Sequence, residues 1–577
     1  MREEGQIIII AIIAIAIAFA GESALNFYKY GGDLYVEKYT AYLSPEGNLT
    51  EDYEYGVYGN YRMLYRVWNA PLIYEGELNK PYIKILEINC SYIPYIKDYY
   101  GNVFASSYKE EIAYLAFRNE AGCFNPSGYK HGKYSVQYKY IIYPPVNYDN
   151  NLYHMNIKLA DKHVPYRDVE IVLDNSSGSI VNVYSHPPME MERNGDFYII
   201  HGKSQKNGMI EVEMLFRNAS PKFLYHEDGL MEKVREENNA YRMKYEISLL
   251  FSSALKYLTL LFPLIIFAIY YLHGREKKYT IPRYLSTIPK KRKPWMVNLV
   301  FKGDAMDFDM HGFYATLLDL HRRGIIEIEN EGKELKIKIL KDKEMDWYEK
   351  KVIRFLKKYS INGAFSTEKL KEKIRNYKGD TYNLSKIQND FNDIRRVRNG
   401  SEFIINGRYT MLKFFAASLL LFLLSAILFA IFHQKYPPLL NAMIYSLLLS
   451  IQFLITIPAP STLFGKWRKD YYREKLEWNS FKRFLLDMAH LEKYEMKDIN
   501  MWKEWLVYAT ALGIGKKVAK QLKKMNIPIP EANMIPYVYI AFASTSHTLS
   551  TTYSSSTGGG GGIGAGGGFG GGGAGGR

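Results

Sequence analysis

Four apolar runs constrain this chain more than any other feature of its sequence. Three of them, Ile247–Leu272, Leu412–Phe432 and Leu439–Pro460, are long enough to cross a hydrocarbon core of about 30 Å. Their only interior cation is Lys256 in the first and Lys413 in the second, and Lys256 lies where its ammonium can snorkel toward a surface. The last two runs are joined only by His433-Gln434-Lys435-Tyr436-Pro437-Pro438, so they read as an antiparallel hairpin across the bilayer. The fourth run, Ile7–Ala20, is short for a span but has the length of a signal-peptide core. It ends in Ala18-Phe19-Ala20 before Gly21, which fits a small-residue cleavage site, while the weakly charged Met1-Arg2-Glu3-Glu4 leaves an uncleaved anchor as the alternative.

Charge sets the orientation. The formal net charge of +15 suggests nucleic acid or an anionic surface when taken whole. Divided by segment it says something else. Residues 21–246 carry 24 Lys+Arg against 30 Asp+Glu, residues 273–411 carry 31 against 19, and residues 461–577 carry 16 against 9. Clusters at Arg275/Lys277/Lys278 and Lys290-Lys291-Arg292-Lys293 follow the first long run, where the positive-inside bias is strongest. The expectation is residues 21–246 outside the cytoplasm, with 273–411 and 461–577 inside, in a multi-pass cell-membrane protein.

Residues 21–246 read as an all-β, sandwich-like domain. Tyr/Ile/Val-rich runs at Lys133–Ile142, Asn151–Leu159, Asp168–Leu173, Ser179–Tyr184, Asp196–His201 and Met209–Phe216 alternate between turns such as Asp174–Gly178 and Arg193-Asn194-Gly195. The spacing suggests two sub-lobes divided near residue 130. This region holds 31 of the 51 tyrosines, which suits pleated, half-buried surfaces and also contact faces for glycans or peptides. The chain has two cysteines, Cys90 and Cys123, which excludes a disulfide-dense scaffold and leaves one candidate bridge in an exported region. Glycosylation sequons begin at Asn48, Asn89, Asn175 and Asn218.

Residues 273–411 read as winged-helix-like α+β modules. Met310–Arg323 has an apolar face, Gly324 stops it, and strands at Ile325–Glu329 and Glu334–Leu340 follow. A weaker echo places helices at Ser366–Ile374 and Asn383–Arg398 and a hairpin at Glu402–Tyr409 around Asn406-Gly407. Arg322, Arg323, Arg395, Arg396 and Arg398 would suit a nucleic-acid face, but cations at helix C-termini favour the macrodipole, so DNA binding is disfavoured against protein contact. Residues 461–543 form a helical region, with amphipathic helices at Glu474–Tyr494 and Trp502–Lys524. Residues 544–577 form a tail in which Ser and Thr give way to 15 glycines in the 19 positions of Gly558–Gly576, a composition that predicts disorder.

Catalytic patterns are missing. The chain has no His-Glu-x-x-His, no Gly-x-Ser-x-Gly, no kinase set and no EF-hand loop. Gly513-Ile514-Gly515-Lys516 resembles a phosphate loop only superficially, lacking its glycine spacing and the hydroxyl residue after Lys. Asp304, Asp307 and Asp309 would suit a hard cation, but they precede a helix and read better as capping residues. His154, His163, His186, His201 and His226 show no ligand spacing. No catalytic residue, cofactor or metal is implied, and the reading leans away from an enzyme.

Gly274-Arg275-Glu276, the basic linker after it, and Asp307–Leu340 (with ATLLDLHRRGIIEIENEGKELKIKIL from Ala315) resemble the YciQ-like family of predicted membrane proteins, a bacterial and archaeal domain of unknown function. LVYATALGIGKKVAK at Leu506–Lys520 is similar to that family's segment before its glycine-rich tail. The resemblance implies the order exported β domain, one span, cytosolic insert, paired spans and Ser-then-Gly tail. It departs at Ile281–Trp295, which is basic and poor in proline, and at Arg577, where family tails end in an aromatic. It brings no activity and no site residues. The whole reads as an envelope-associated binding, scaffold or sensor protein with the bilayer and other membrane or envelope proteins or glycans as partners. The alternatives are a membrane enzyme of unrecognised type or a membrane-tethered nucleic-acid binder.

Overall fold

The structure is a computed structural model that describes residues 3–556 apart from 151, 219, 332–333, 342–344, 398–400, 488–498 and 526–528. Its contacts divide these residues into two bodies, one of 8–264 with 415–454 and the other of 3–7 with 265–414 and 455–556.

The first body opens with α1 (Glu3–Tyr30), of which residues 3–7 belong to the other body. This helix continues without a break for ten residues past Ala20, and it is long and apolar enough to cross a bilayer. Seventeen strands follow in three sheets. The largest joins β1 (Leu34–Leu43), β2 (Asn48–Val57), β4 (Leu72–Ile73), β5 (Tyr82–Cys90), β9 (Gly132–Tyr143), β12 (Tyr166–Asp174), β14 (Glu190–Asn194) and β15 (Phe197–Ser204). A five-stranded sheet takes β10 (Pro145–Asp149), β11 (Leu152–Ala160), β13 (Ile180–His186), β16 (Ile210–Phe216) and β17 (Phe223–His226). Alternate residues of both sheets, such as Val36, Tyr39 and Ile171 in the first and Met155, Ile157 and Val212 in the second, share one buried core, as the period-2 pattern requires. The six runs read as strands lie on β9, β11, β12, β13, β15 and β16, within a few residues at each end.

The division near residue 130 is corrected. A separate four-stranded sheet of β3 (Met63–Val67), β6 (Ile93–Lys97), β7 (Val103–Ala105) and β8 (Glu120–Phe124), with α2 (Lys109–Leu115), has its own core around Met63, Tyr95, Ile112 and Phe124. It is built from insertions within the large sheet. After it β9 returns to pair antiparallel with β2 along Asn48–Val57, because the apolar residues of both strands must face the same core. Cys90 at the end of β5 and Cys123 on β8 are joined as a disulfide, Cα–Cα 6.2 Å.

The helix over the expected span Ile247–Leu272 is broken. Helix α3 (Leu230–Leu260) and the segment α4 (Phe262–Ile269) with a π turn (Tyr270–Gly274) meet at an angle of 58°. Pro263 is the cause: it lacks the N–H that would continue α3, yet suits the first turn of a new helix. Helix α10 runs from Gly407 to Phe432, and α11 (Pro438–Leu454) is shorter than expected, 17 residues or about 25 Å at 1.5 Å per residue. Among the described residues two helices, α1 and α10, are long and apolar enough to cross a membrane, and three if the bent pair is one span.

The second body is mainly helical. It contains α5 (Pro294–Phe301), α6 (Met310–Arg322), α7 (Trp347–Lys358), α8 (Thr367–Asn376), α9 (Thr381–Arg395), α12 (Tyr471–Leu486), α13 (Ile499–Ala511), α14 (Gly515–Lys524) and α15 (Pro530–Ser556) around one large core. Gly324, at φ +65°, ends α6 in a Schellman turn: the N–H of Ile325 donates to Leu320 O and that of Gly324 to His321 O, 2.9 Å each. The hairpin β18 (Ile326–Glu331) and β19 (Glu334–Ile339) then joins β20 (Ser360–Ile361) and β21 (Ala364–Ser366) in a four-stranded sheet of order β18-β19-β21-β20.

Four readings of this body change. The hairpin at Glu402–Tyr409 is absent: β22 (Ile404–Ile405) pairs with β23 (Lys466–Trp467), and Asn406 Oδ1 instead caps the start of α10 by accepting from Arg408 N at 2.9 Å. The helix Trp502–Lys524 is two helices, because Gly513 takes φ +78° between α13 and α14. The helix read as Glu474–Tyr494 is α12, ending at Leu486, and the remainder through Tyr494 lies mostly outside the described residues. The Ser/Thr part of the tail is not a coil but the second half of α15. Its hydroxyls bond back along the helix, Thr545 to Ala541 O and Thr548 to Ser544 O, while Thr545 and Leu549 are buried. Thr557 and the glycine run from Gly558 onward lie outside the described residues.

Candidate functional site

In the first body the β region offers a cleft of about 310 Å³ among the ends of β3, β5, β9 and β11, with Trp68, Asn69, Tyr82, Asn156, Lys158 and Asp161 in its lining. Beneath it lies a buried ion pair. Arg66 Nε donates to Glu51 Oε2 (3.2 Å), Nη1 to Val67 O (2.6 Å) and Nη2 to Leu159 O (2.5 Å), and its guanidinium stacks 3.6 Å from the Trp68 ring centroid. Tyr39 donates to the other Glu51 oxygen at 2.7 Å. Burial opposes the Arg66 charge, and the field of Glu51 overrides it, holding the guanidinium firmly protonated. Burial pushes the phenols of Tyr39, Tyr53, Tyr55, Tyr138 and Tyr140 up, so this tyrosine core stays neutral. All Arg66 nitrogens are committed to the fold, so ligand contacts fall to the half-exposed rim. There Asn69 Nδ2 donates to Asp161 Oδ2 at 2.9 Å, and Asn156 and Lys158 are exposed.

A second cluster couples the five-stranded sheet to α3. Glu213 on β16 accepts from His154 on β11 (2.6 Å), from His186 on β13 (3.0 Å) and from Asn238 on α3 (2.7 Å). Burial works against the Glu213 carboxylate, but those three hydrogen bonds outweigh it and hold its pKa down at about 2. His186 also packs edge-on against Tyr241 of α3, 4.5 Å between centroids, and Tyr241 donates to Lys435 O in the α10–α11 turn at 2.8 Å. The linear spacing of His154, His186 and Glu213 gave no sign of this: they stand on three strands brought side by side only by the sheet.

A third lies among the apolar helices of the same body. Lys256 Nζ pairs with Glu22 of α1 at 2.8 Å, and Tyr445 of α11 donates to the same carboxylate. Gln452 Nε2 donates to Ala14 O (2.9 Å) and Thr259 O (3.1 Å), and Thr259 Oγ1 to Tyr445 O (3.1 Å).

The sites named from the sequence fare unevenly. Asn48, Asn89 and Asn218 are exposed, but Asn175 is buried, its Oδ1 accepting from Ile180 N at 2.8 Å, and so it cannot present its amide to a glycosylating enzyme. His163 is buried between Val164 O and Gly208 O, and burial drives its pKa to about 4. His201 pairs loosely with Glu192 at 3.9 Å. His226, Asp228 and Asp149 gather their ligand atoms within 4.8 Å, yet Asp149 already accepts from Gly229 N and Leu230 N at the start of α3. In the second body the three aspartates bind protein groups. Asp309 caps α6 through His311 N (3.0 Å) and pairs with Lys302, while Asp304 accepts from Ser461 N, Ser461 Oγ and Arg408. Asp307 is exposed, 3.8 Å from Arg408.

A mostly β N-terminal region, a helical C-terminal region and two or three apolar helices define a membrane protein. The chain belongs to the predicted membrane protein family DUF2207: the family's N-terminal domain matches residues 37–216 and its C-terminal domain residues 281–522. No curated protein matches it. Among solved structures, an M1 zinc metallopeptidase from Deinococcus radiodurans is similar over 33% of this chain and 43% of its own, at 8% identity and a TM-score of 0.18. A two-domain M1 zinc metallopeptidase bound to L-tryptophan gives 33% and 44%, 8% identity and 0.19. The chain thus spans less than half the length of those structures, and so slight a likeness carries no argument.

Proposed function

We propose that this protein is an envelope-associated binding protein of the cell membrane. Its β region takes an envelope glycan, peptide or protein segment in the cleft beside Trp68, and occupancy is conveyed to the membrane through α3. The carrying observation is the Glu213 carboxylate, whose partners are two strand histidines and Asn238 of the helix that leads into the apolar segment. A shift of β11 or β13 on ligand binding changes the seat of α3 directly. The proposal places residues 21–246 outside the cytoplasm and residues 273–411 and 461–577 inside. The Lys/Arg distribution supports this, as does the Cys90–Cys123 bridge, which suits an oxidising compartment. Winged-helix-like contact modules on the inner side would receive the signal as protein–protein contacts.

Hydrogen exchange on the full chain in nanodiscs, with and without solubilised envelope glycan and peptide fractions, tests the reading. Protection is expected at residues 66–70 and 156–161 together with altered exchange in the first turns of α3. Loss of the reading follows if no fraction binds, or if binding leaves α3 unchanged. An impermeant thiol reagent applied to intact cells, with single cysteines introduced at exposed Tyr114 and at Lys378, tests the sidedness: only the first is expected to label.

A further inference from the structure

The second body carries an accumulation of positive charge that its fold does not balance. Helix α14 starts directly after the Schellman turn that ends α13, in which Ile514 N donates to Ala509 O at 2.9 Å and Gly513 N to Thr510 O at 3.0 Å. No side chain caps α14, and its first turn holds no acidic residue. Gly515 is followed instead by Lys516 and Lys517, the opposite of what a helix dipole favours at its positive end.

Two more lysines come from other elements. The Lys302 side chain, just after α5, lies across the turn: a Cβ on Gly513 would stand 2.6 Å from Lys302 Cε, so this position needs glycine for space as well as for its positive φ. Lys482 is half-buried on α12, which packs against both α5 and α14. Mutual influence marks them as one group. Burial and then the fields of Lys302, Lys516 and Lys482 lower the His311 pKa, against the pull of Asp309, and burial with the fields of Lys302 and Lys517 lowers that of Lys482.

The counter-charge present is small. Asp309 pairs with Lys302, but it also caps α6 and accepts from Asn298 Nδ2 at 2.9 Å. Lys482, Lys516 and Lys517 have no carboxylate partner among the described residues, and Lys516 rests its ammonium 4.3 Å from the centre of the Tyr539 ring. Ordinary surface lysines turn away from one another into water. Here Lys302 is held across a glycine and Lys482 is half-buried, so the repulsion is built in.

We propose that Lys302, Lys482, Lys516 and Lys517, gathered around the Gly513–Gly515 turn, form a binding site for a phosphate group. A dianionic phosphate is the chemistry that fits, because one compact group accepts hydrogen bonds from several ammonium donors and from the free amides at the start of α14. A carboxylate would leave most of the charge uncompensated. The phosphate belongs either to a soluble compound or to a lipid headgroup, and the experiment separates the two.

The full chain is placed in nanodiscs of zwitterionic lipid and its melting temperature followed against inorganic pyrophosphate, with chloride as the control at equal ionic strength. A parallel series uses discs containing phosphatidic acid. For a soluble ligand, pyrophosphate stabilises the protein saturably in zwitterionic discs. For a headgroup, the phosphatidic acid discs stabilise it and pyrophosphate adds nothing. In either case Lys482→Gln with Lys517→Gln weakens the effect by about tenfold or more, equivalent to about 1.4 kcal/mol. Without ligand the same variant melts no lower than the native chain, since it relieves repulsion, which distinguishes loss of the site from loss of the fold. Equal response of variant and native protein to both phosphate sources, or no response beyond that to chloride, overturns the proposal.

Discussion

The side-chain amide of Gln452 donates at 3.1 Å to the main-chain carbonyl of Thr259, the acceptor that Pro263 leaves without its helical partner. In apolar surroundings an unsatisfied carbonyl is costly, and neighbouring polar side chains are how a broken helix is tolerated. Gln452 is fully buried, and its amide also donates to Ala14 O of α1 at 2.9 Å. Gln452→Leu should therefore destabilise the full chain in detergent or nanodiscs by about 1–3 kcal/mol. In Pro263→Ala, where residue 263 regains its N–H, the same substitution should cost less. A double-mutant cycle on unfolding midpoints reads the difference, and independent, additive effects would remove the assigned role.

Glu213 predicts a definite response to acid. Its pKa is about 2 in the fold against an ordinary 4.5, so the folded chain binds fewer protons than the unfolded one between those values. The stabilisation it brings is complete above pH 4.5 and is lost as pH falls through about 2, and it amounts to about 3 kcal/mol. Urea midpoints of the native chain and of Glu213→Gln, measured from about pH 5 downward, should converge as acid is added. Parallel curves would mean that the His154–Glu213–His186 arrangement contributes nothing to the pH dependence.

What could be read before the structure follows from the range of the forces involved. Strands β9, β11, β12, β13, β15 and β16 were legible because alternation is local, and Gly324 was legible as a stop because a Schellman turn is decided by one residue. The break at Pro263 stands in the sequence, but hydropathy averaged over the run hides it. Helix α15 was missed for a related reason. Its buried stripe of Ile535, Val538, Ala541, Phe542, Thr545 and Leu549 has helical spacing, yet Ala and Thr look polar or neutral in composition and the glycines beyond dominate the segment. The clusters around Glu213, Glu22 and Lys482 depend on contacts between distant elements, and no local pattern encodes those.

The disulfide ties β5 of the large sheet to β8 of the small one across 33 residues of sequence. Closing a loop of that length restricts the unfolded chain, and the chain-entropy estimate is about 3–4 kcal/mol. Reductant should lower the denaturation midpoint of the native protein and leave Cys90→Ser with Cys123→Ser, already lowered, unaffected. If reductant moves neither, or the double variant matches the oxidised protein, the bridge does not contribute to stability.

Leu549 tests whether the Ser/Thr segment belongs to the core. It is 1% exposed on α15, which packs against α6, α8 and α9, and two turns earlier on the same helix Phe542 stacks on Phe365 at 5.9 Å and meets Phe313 edge-on at 5.0 Å. An aspartate in that position would bury a charge with no partner, and Leu549→Asp should cost about 3 kcal/mol or more. Hydrogen exchange separates this from a general loss of fold: amides of residues 540–552 should be protected in the native chain and exchange rapidly in the variant. A tail that merely followed the domain as a coil would exchange rapidly in both and would not register the substitution at all.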